Sequence, residues 1–182
     1  MKYFAAILLV VLAGCAASPE RLDAVAAKES ARMAKTSRPL STFARYELRA
    51  MTMSSEVTQD ERKVAQAKVL EQRLRDQLLP LIQKWESAPA GGRSGTLVIE
   101  PRLESLRIVS GGARFWAGAL AGSSTIDLDL MLTEKQSSSV VAKPRVDIRS
   151  NAIAGGWSVG ATDRNLLDYI AVTAERYLKD NY

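Results

Sequence analysis

The chain has 182 residues, 47% of them hydrophobic and 25% charged, with a formal net charge of +5 and no histidine. That length suits one domain with its own core. With no histidine and a single cysteine, it lacks the usual general base near neutral pH, the common zinc and copper ligands, and any internal disulfide. The small basic surplus suits a protein beside anionic lipid and argues poorly for nucleic acid.

The first fifteen residues read MKYFAAILLVVLAGC. One lysine precedes an apolar run from Tyr3 to Ala13, the layout of a secretory leader and too short for a permanent membrane helix. The tetrad Leu12-Ala13-Gly14-Cys15 resembles the bacterial lipobox, in which small residues suit the peptidase and the cysteine thiol receives lipid. On this reading residues 1–14 are removed and Cys15 is the lipid attachment site. The plainer alternative is an ordinary cleavable leader with an incidental cysteine. Each buried CH₂ contributes about 0.8 kcal/mol, so several acyl chains anchor stably where one does not. Ala16 and Ala17 follow Cys15 in place of the aspartate that holds many such lipoproteins at the inner membrane. Resemblance to those proteins therefore implies the outer membrane.

Residues 15–40 are rich in Ala, Ser and charge, with few large apolar side chains. They read as a lipidated tether able to reach about 80 Å, with a short helix after Pro19 that would bury little. The domain proper is expected over 41–182. A first strand over 41–53 places Tyr46, Leu48 and Ala50 on one face and Arg45, Glu47 and Arg49 on the other. Thr58 and Glu61 stand at capping-box spacing before a helix. Its apolar stripe is Val64, Ala67, Leu70, Leu74, Leu78, Leu81 and Trp85. Glu71 and Arg75 have the favourable order for a helical pair. Pro80 should kink or end this helix.

A Gly- and Pro-containing loop over 88–95 leads into a strand over 96–109, interrupted near Pro101, as two strands or as one with a bulge. The central stretch, 111–133, reads GGARFWAGALAGSSTIDLDLMLT. From Thr125 it alternates strictly, with Ile126, Leu128, Leu130 and Leu132 on the apolar face. A polar turn over 134–139 precedes a returning strand over 140–149, with Val146 and Ile148 inward and Pro144 marking an edge or bulge. A Gly-rich loop then leads to a last helix from about Thr162, striped by Leu166, Leu167, Ile170, Ala174, Tyr177 and Leu178. The expected fold is α/β of the α+β type, in the order β-α-β-β-β-α. It has a mainly antiparallel sheet of about four strands with two helices on one face.

Three motifs carry chemistry elsewhere. Residues 156–160, Gly-Trp-Ser-Val-Gly, match the nucleophile elbow, but Ser158 has no histidine to take its proton, so a glycine turn is the better reading. Asp127 and Asp129 share a strand face and suggest a carboxylate pair or metal site. Pairing with Lys143, Arg145 or Arg149 is simpler, and the charges favour Asp127 opposite Arg145 and Asp129 opposite Lys143. Arg114, Phe115 and Trp116 stand among small residues, either as a loop tucked under a helix or as a partner or lipid contact.

The lipobox, the run ARFWAGALAGSSTIDLDLMLTE and a final helix after a glycine-rich loop together resemble the bacterial lipoproteins grouped as domain of unknown function 4410. The resemblance spans roughly 40–180 and implies a small α/β domain like those of other envelope accessory lipoproteins. Residues 134–139 replace that family's turn of Asp and Gly, and the family itself implies no activity. The sequence thus points to a non-enzymatic lipoprotein without cofactor or metal, anchored through its N-terminal lipid to the outer membrane and facing the periplasm. Its expected partner is an envelope protein in assembly or transport, with no role for nucleic acid. The alternative is a carrier or sensor of lipid or another small apolar ligand.

Overall fold

The computed structural model describes residues 19–89, 91–108, 124–149 and 163–182. Its sheet is built around β3 (Thr96–Arg107) and β4 (Thr125–Glu134), an antiparallel pair in which Ile99 faces Leu132 and Leu103 faces Leu128. The alternation on β4 holds: Ile126, Leu128, Leu130 and Leu132 enter the core. β1 (Arg45–Leu48) and β2 (Thr52–Met53) run parallel to β3 on its other side. β5 (Val140–Ala142) and β6 (Arg145–Arg149) run antiparallel to β4 and complete the sheet.

The fold is therefore the expected α+β, with a sheet that is antiparallel over β3–β4, β4–β5 and β4–β6 and made mixed by β1 and β2, which pair in parallel with β3. The connection explains the parallel pairs. Between β1 and β3 the chain passes through the long helix α3 (Glu61–Glu86), and neighbouring strands joined by such a crossover pair in parallel.

Both outer lanes of the sheet are broken, and the breaks accommodate the prolines. β3 is not interrupted at Pro101. The carbonyls of Ile99 and Leu103 accept from the N–H groups of Arg49 and Ser54, so alternate residues of β3, Pro101 among them, turn their backbone toward β1 and β2. Pro101 faces the gap between Leu48 and Thr52, where its missing N–H costs no ladder bond. The register shift in β3 falls instead between Leu103 and Ser105. That gap also corrects the first strand: Ala50 is exposed and Met51 takes the buried place. On the far side, Pro144 separates β5 from β6 and its carbonyl accepts from Leu130 N–H at 2.9 Å.

α3 buries Ala67, Leu70, Leu74, Leu78, Leu81, Ile82 and Trp85, the predicted stripe with Ile82 added and Val64 half-buried. Its N-cap is Asp60, whose carboxylate accepts from Arg62 N–H at 2.8 Å and Lys63 N–H at 3.3 Å. Thr58 ends the short helix α2 (Ser55–Thr58) instead of forming a capping box. Pro80 does not end α3, because Pro80 and Asp76 lie on its exposed side and water can take the freed Asp76 carbonyl. Glu71 reaches across to Met51 N–H at 3.1 Å.

The last helix, α4 (Asp163–Asp180), packs on α3 and on β6, with its predicted stripe buried. Arg73 of α3 meets Asp168 of α4 at 3.2 Å. At the end of α3, Trp85 stacks on Tyr182 with centroids 4.3 Å apart and packs against Tyr46 at 5.1 Å. Gly95 opens β3 with φ +73, and its carbonyl accepts from Ala44 and Arg45; a Cβ there would stand 3.2 Å from Glu134 Oε1.

The expected tether needs correction over 19–40. Pro19–Ser30 forms α1, which packs on α4 with Ala26 and Ser30 wholly buried. Ser30 Oγ donates to Asp180 Oδ2 at 2.7 Å, and Tyr177 Oη donates to Ala34 O at 2.8 Å. The strap after α1 is fixed by Ser37 N–H on Val141 O and by the buried Leu40 and Phe43. Sparse apolar residues suffice here because Leu22, Val25 and Met33 pack against the core and Ala26 is wholly buried beside them.

Candidate functional site

The expected lipid-attachment residue Cys15, the contact candidates Arg114, Phe115 and Trp116, and Ser158 lie outside the described residues. Of the chemistry-bearing positions named from sequence, Asp127 and Asp129 are described. They lie on the sheet face turned away from the helices, and alternation puts them there: every even-numbered residue of β4 from 126 to 132 is committed to the core.

Asp129 stands opposite Arg145, which closes a two-point contact through Nε to Oδ1 at 2.6 Å and Nη2 to Oδ2 at 3.1 Å. Lys143 Nζ adds a third contact to Oδ2 at 3.0 Å. Only 1% of Asp129 is accessible; both cations meet it and keep about half their own surface. The Arg145 hydrogen bonds outweigh burial and, with Lys143, hold this carboxyl below the usual carboxylate range.

Asp127 stands directly opposite Asp147, not Arg145. The charge-based register was therefore wrong by two residues. Stronger constraints go with the observed register: the 134–139 turn, closed by Glu134 N–H on Ser139 O at 2.9 Å, the register shift between Leu132 and Thr133, and the buried apolar pair Leu128–Val146. A cross-strand charge pair contributes only about 0.2–1 kcal/mol and yields to them. Ser105 on β3 relieves the facing carboxylates by donating to Asp127 Oδ2 at 2.7 Å. Sequence reading missed that serine, because the bulge at Glu104 shifts it into line with Asp127.

The same face continues as a chain of ion pairs. Lys135 meets Glu47 at 2.6 Å, Arg49 bridges Glu47 and Glu100, and Arg102 meets Glu100 at 2.7 Å. Apart from the facing Asp127 and Asp147, positive and negative groups are interspersed along and across these strands. Both oxygens of Asp129 face cations, Oδ1 the Arg145 guanidinium and Oδ2 both Arg145 and Lys143. Among the described residues, no three His, Cys, Asp or Glu side chains converge, and no helix is long and apolar enough to cross a membrane. The described arrangement is a charged, hydrogen-bonded surface.

No family model and no curated protein matches this chain. Solved structures give a distant resemblance. The PelC dodecamer of Paraburkholderia phytofirmans, in two crystal forms, is 11% and 10% identical with a TM-score of 0.36 in each, over 77% of this chain and 95% of that one. A candidate lipoprotein of Caulobacter crescentus CB15 is 15% identical with a TM-score of 0.34, over 87% of this chain and 93% of that one. These likenesses are distant and assign no family; the resemblance to the domain of unknown function 4410 group rests on the quoted motifs alone.

Proposed function

We propose that the chain is a lipid-anchored envelope protein of the outer membrane, facing the periplasm, and that it works by binding another envelope protein without catalysing a reaction. The observation that carries this reading is the leader ending in Leu12-Ala13-Gly14-Cys15. Composition supports a non-catalytic role: there is no histidine, and the lipid consumes the single thiol. Asp129, the most deeply buried carboxylate described, is held charged by two cations and is unsuited to proton transfer.

Binding at the surface accords better with the core than carriage of an apolar ligand within it. Ile99, Leu106, Ile126, Leu128 and Leu130 from the sheet, and Leu70, Leu78 and Ile170 from the helices, have no accessible surface. Side chains packed so closely leave no ligand-sized space between them.

The contact residues proposed are Arg114, Phe115 and Trp116, two large rings and a guanidinium among small residues. Crosslinking in intact cells, with identification of the captured protein, tests the proposal. Replacing Phe115 and Trp116 together by alanine should abolish capture with stability changed by less than about 1 kcal/mol. A loss of several kcal/mol in that double variant would make both rings core residues and overturn the contact.

A further inference from the structure

α4 packs between two helices. Its Asp168 meets Arg73 of α3, while Arg176, Tyr177 and Asp180 meet α1 and the strap that follows it. These two sets of residues fall on opposite flanks of α4, so the helical layer runs α3, α4, α1. The strap's bond to Val141 puts α1 on the β5–β6 side of the domain.

Only residues 16–18 separate Cys15 from Pro19, where α1 begins. However those residues are arranged, four peptide units span at most about 14 Å. α1 itself is fixed by the burial of Ala26 and Ser30 and by the Ser30–Asp180 bond at 2.7 Å, and so cannot lengthen the leash while docked.

We infer that the α1 flank of the domain rests at the phospholipid headgroup layer, with α3 on the side away from it. The inference rests on the lipid-anchor reading of Cys15. Charge is compatible: between residues 19 and 38, five basic residues stand against three acidic ones, a balance that anionic headgroups attract. Each helix in the layer adds about 8–10 Å, so α3 lies roughly 20 Å farther from the surface than α1. A 25-residue tether would impose no such orientation.

Lipidation leaves no free thiol, so one added cysteine can be labelled alone. Ala24 on α1 and Ala65 on α3 are both exposed. Lipidated full-length Ala24→Cys and Ala65→Cys proteins would each carry a fluorophore and be placed in phosphatidylethanolamine–phosphatidylglycerol vesicles with a headgroup-level quencher. The expected result is loss of fluorescence at position 24 and retention at position 65. A flexible insert of about 20 residues between Ala17 and Ser18 should restore fluorescence at position 24 while the protein still floats with the vesicles. Equal quenching at the two positions, stronger quenching at 65, or quenching at 24 that survives the insert would overturn the proposal. Failure of the unaltered protein to float would strike the anchor reading instead, and so the two are told apart.

Discussion

Asp129 and Arg145 face each other across β4 and β6 and join at two points, 2.6 Å and 3.1 Å apart. The carboxylate is almost wholly buried while the guanidinium stays half in water, so removing Arg145 leaves Asp129 with the single point charge of Lys143. Arg145→Ala should destabilise the fold by about 1–3 kcal/mol, measured by urea unfolding. Arg145→Lys should recover only part of that, because an ammonium cannot reproduce the two-point contact.

The same pair predicts a pH dependence. Arg145, against burial and with help from Lys143, lowers the folded pKa of Asp129. As pH falls, the unfolded chain takes up the proton first, so this contribution is complete above about pH 4 and is lost toward the lower folded pKa. Asp129→Asn should be less stable than the parent at pH 7, and the gap should narrow below pH 4. A gap that stays constant through the acid range would contradict the assignment.

Pro80 interrupts the hydrogen bonding of α3 on its exposed side without packing into the core. Pro80→Ala should therefore raise stability by about 1–2 kcal/mol, less than the full helix-interior cost because proline also restrains the unfolded chain. The urea midpoint reports it; a fall in midpoint would mean the proline shapes a bend that the packing needs.

How far these elements could be read from sequence depended on what had to be compared. Periodicity revealed β4, the stripe of α3 and the stripe of α4, because each needs only its own residues to divide buried from exposed. The parallel pairing of β1 with β3 was already implied by the helix between them, had the connection been weighed above the hairpin that follows. Asp127 opposite Asp147 was not legible, since the register follows the turn, the shift at Leu132–Thr133 and the buried Leu128–Val146 pair, and charge did not set it. The docking of α1 was hidden for a different reason. Its contacts, Ser30 to Asp180 and Ala34 to Tyr177, join residues at opposite ends of the chain.

Docking of α1 through the wholly buried Ala26 gives a local prediction. Ala26→Asp places a charge where there is no water to solvate it and should release α1 while the sheet and α3 hold. Hydrogen exchange should show lost protection over residues 20–31 and little change over 97–103. Unchanged protection in α1 would mean that the helix does not depend on that contact.

The intact mass and N-terminal peptide of the protein purified from membranes test the central claim most directly. The account predicts a mature chain beginning at Cys15 whose terminal peptide carries the added mass of a diacylglyceryl group and an amide-linked acyl chain. A chain that retains residues 1–14, or one cut elsewhere with an unmodified terminus, would contradict it.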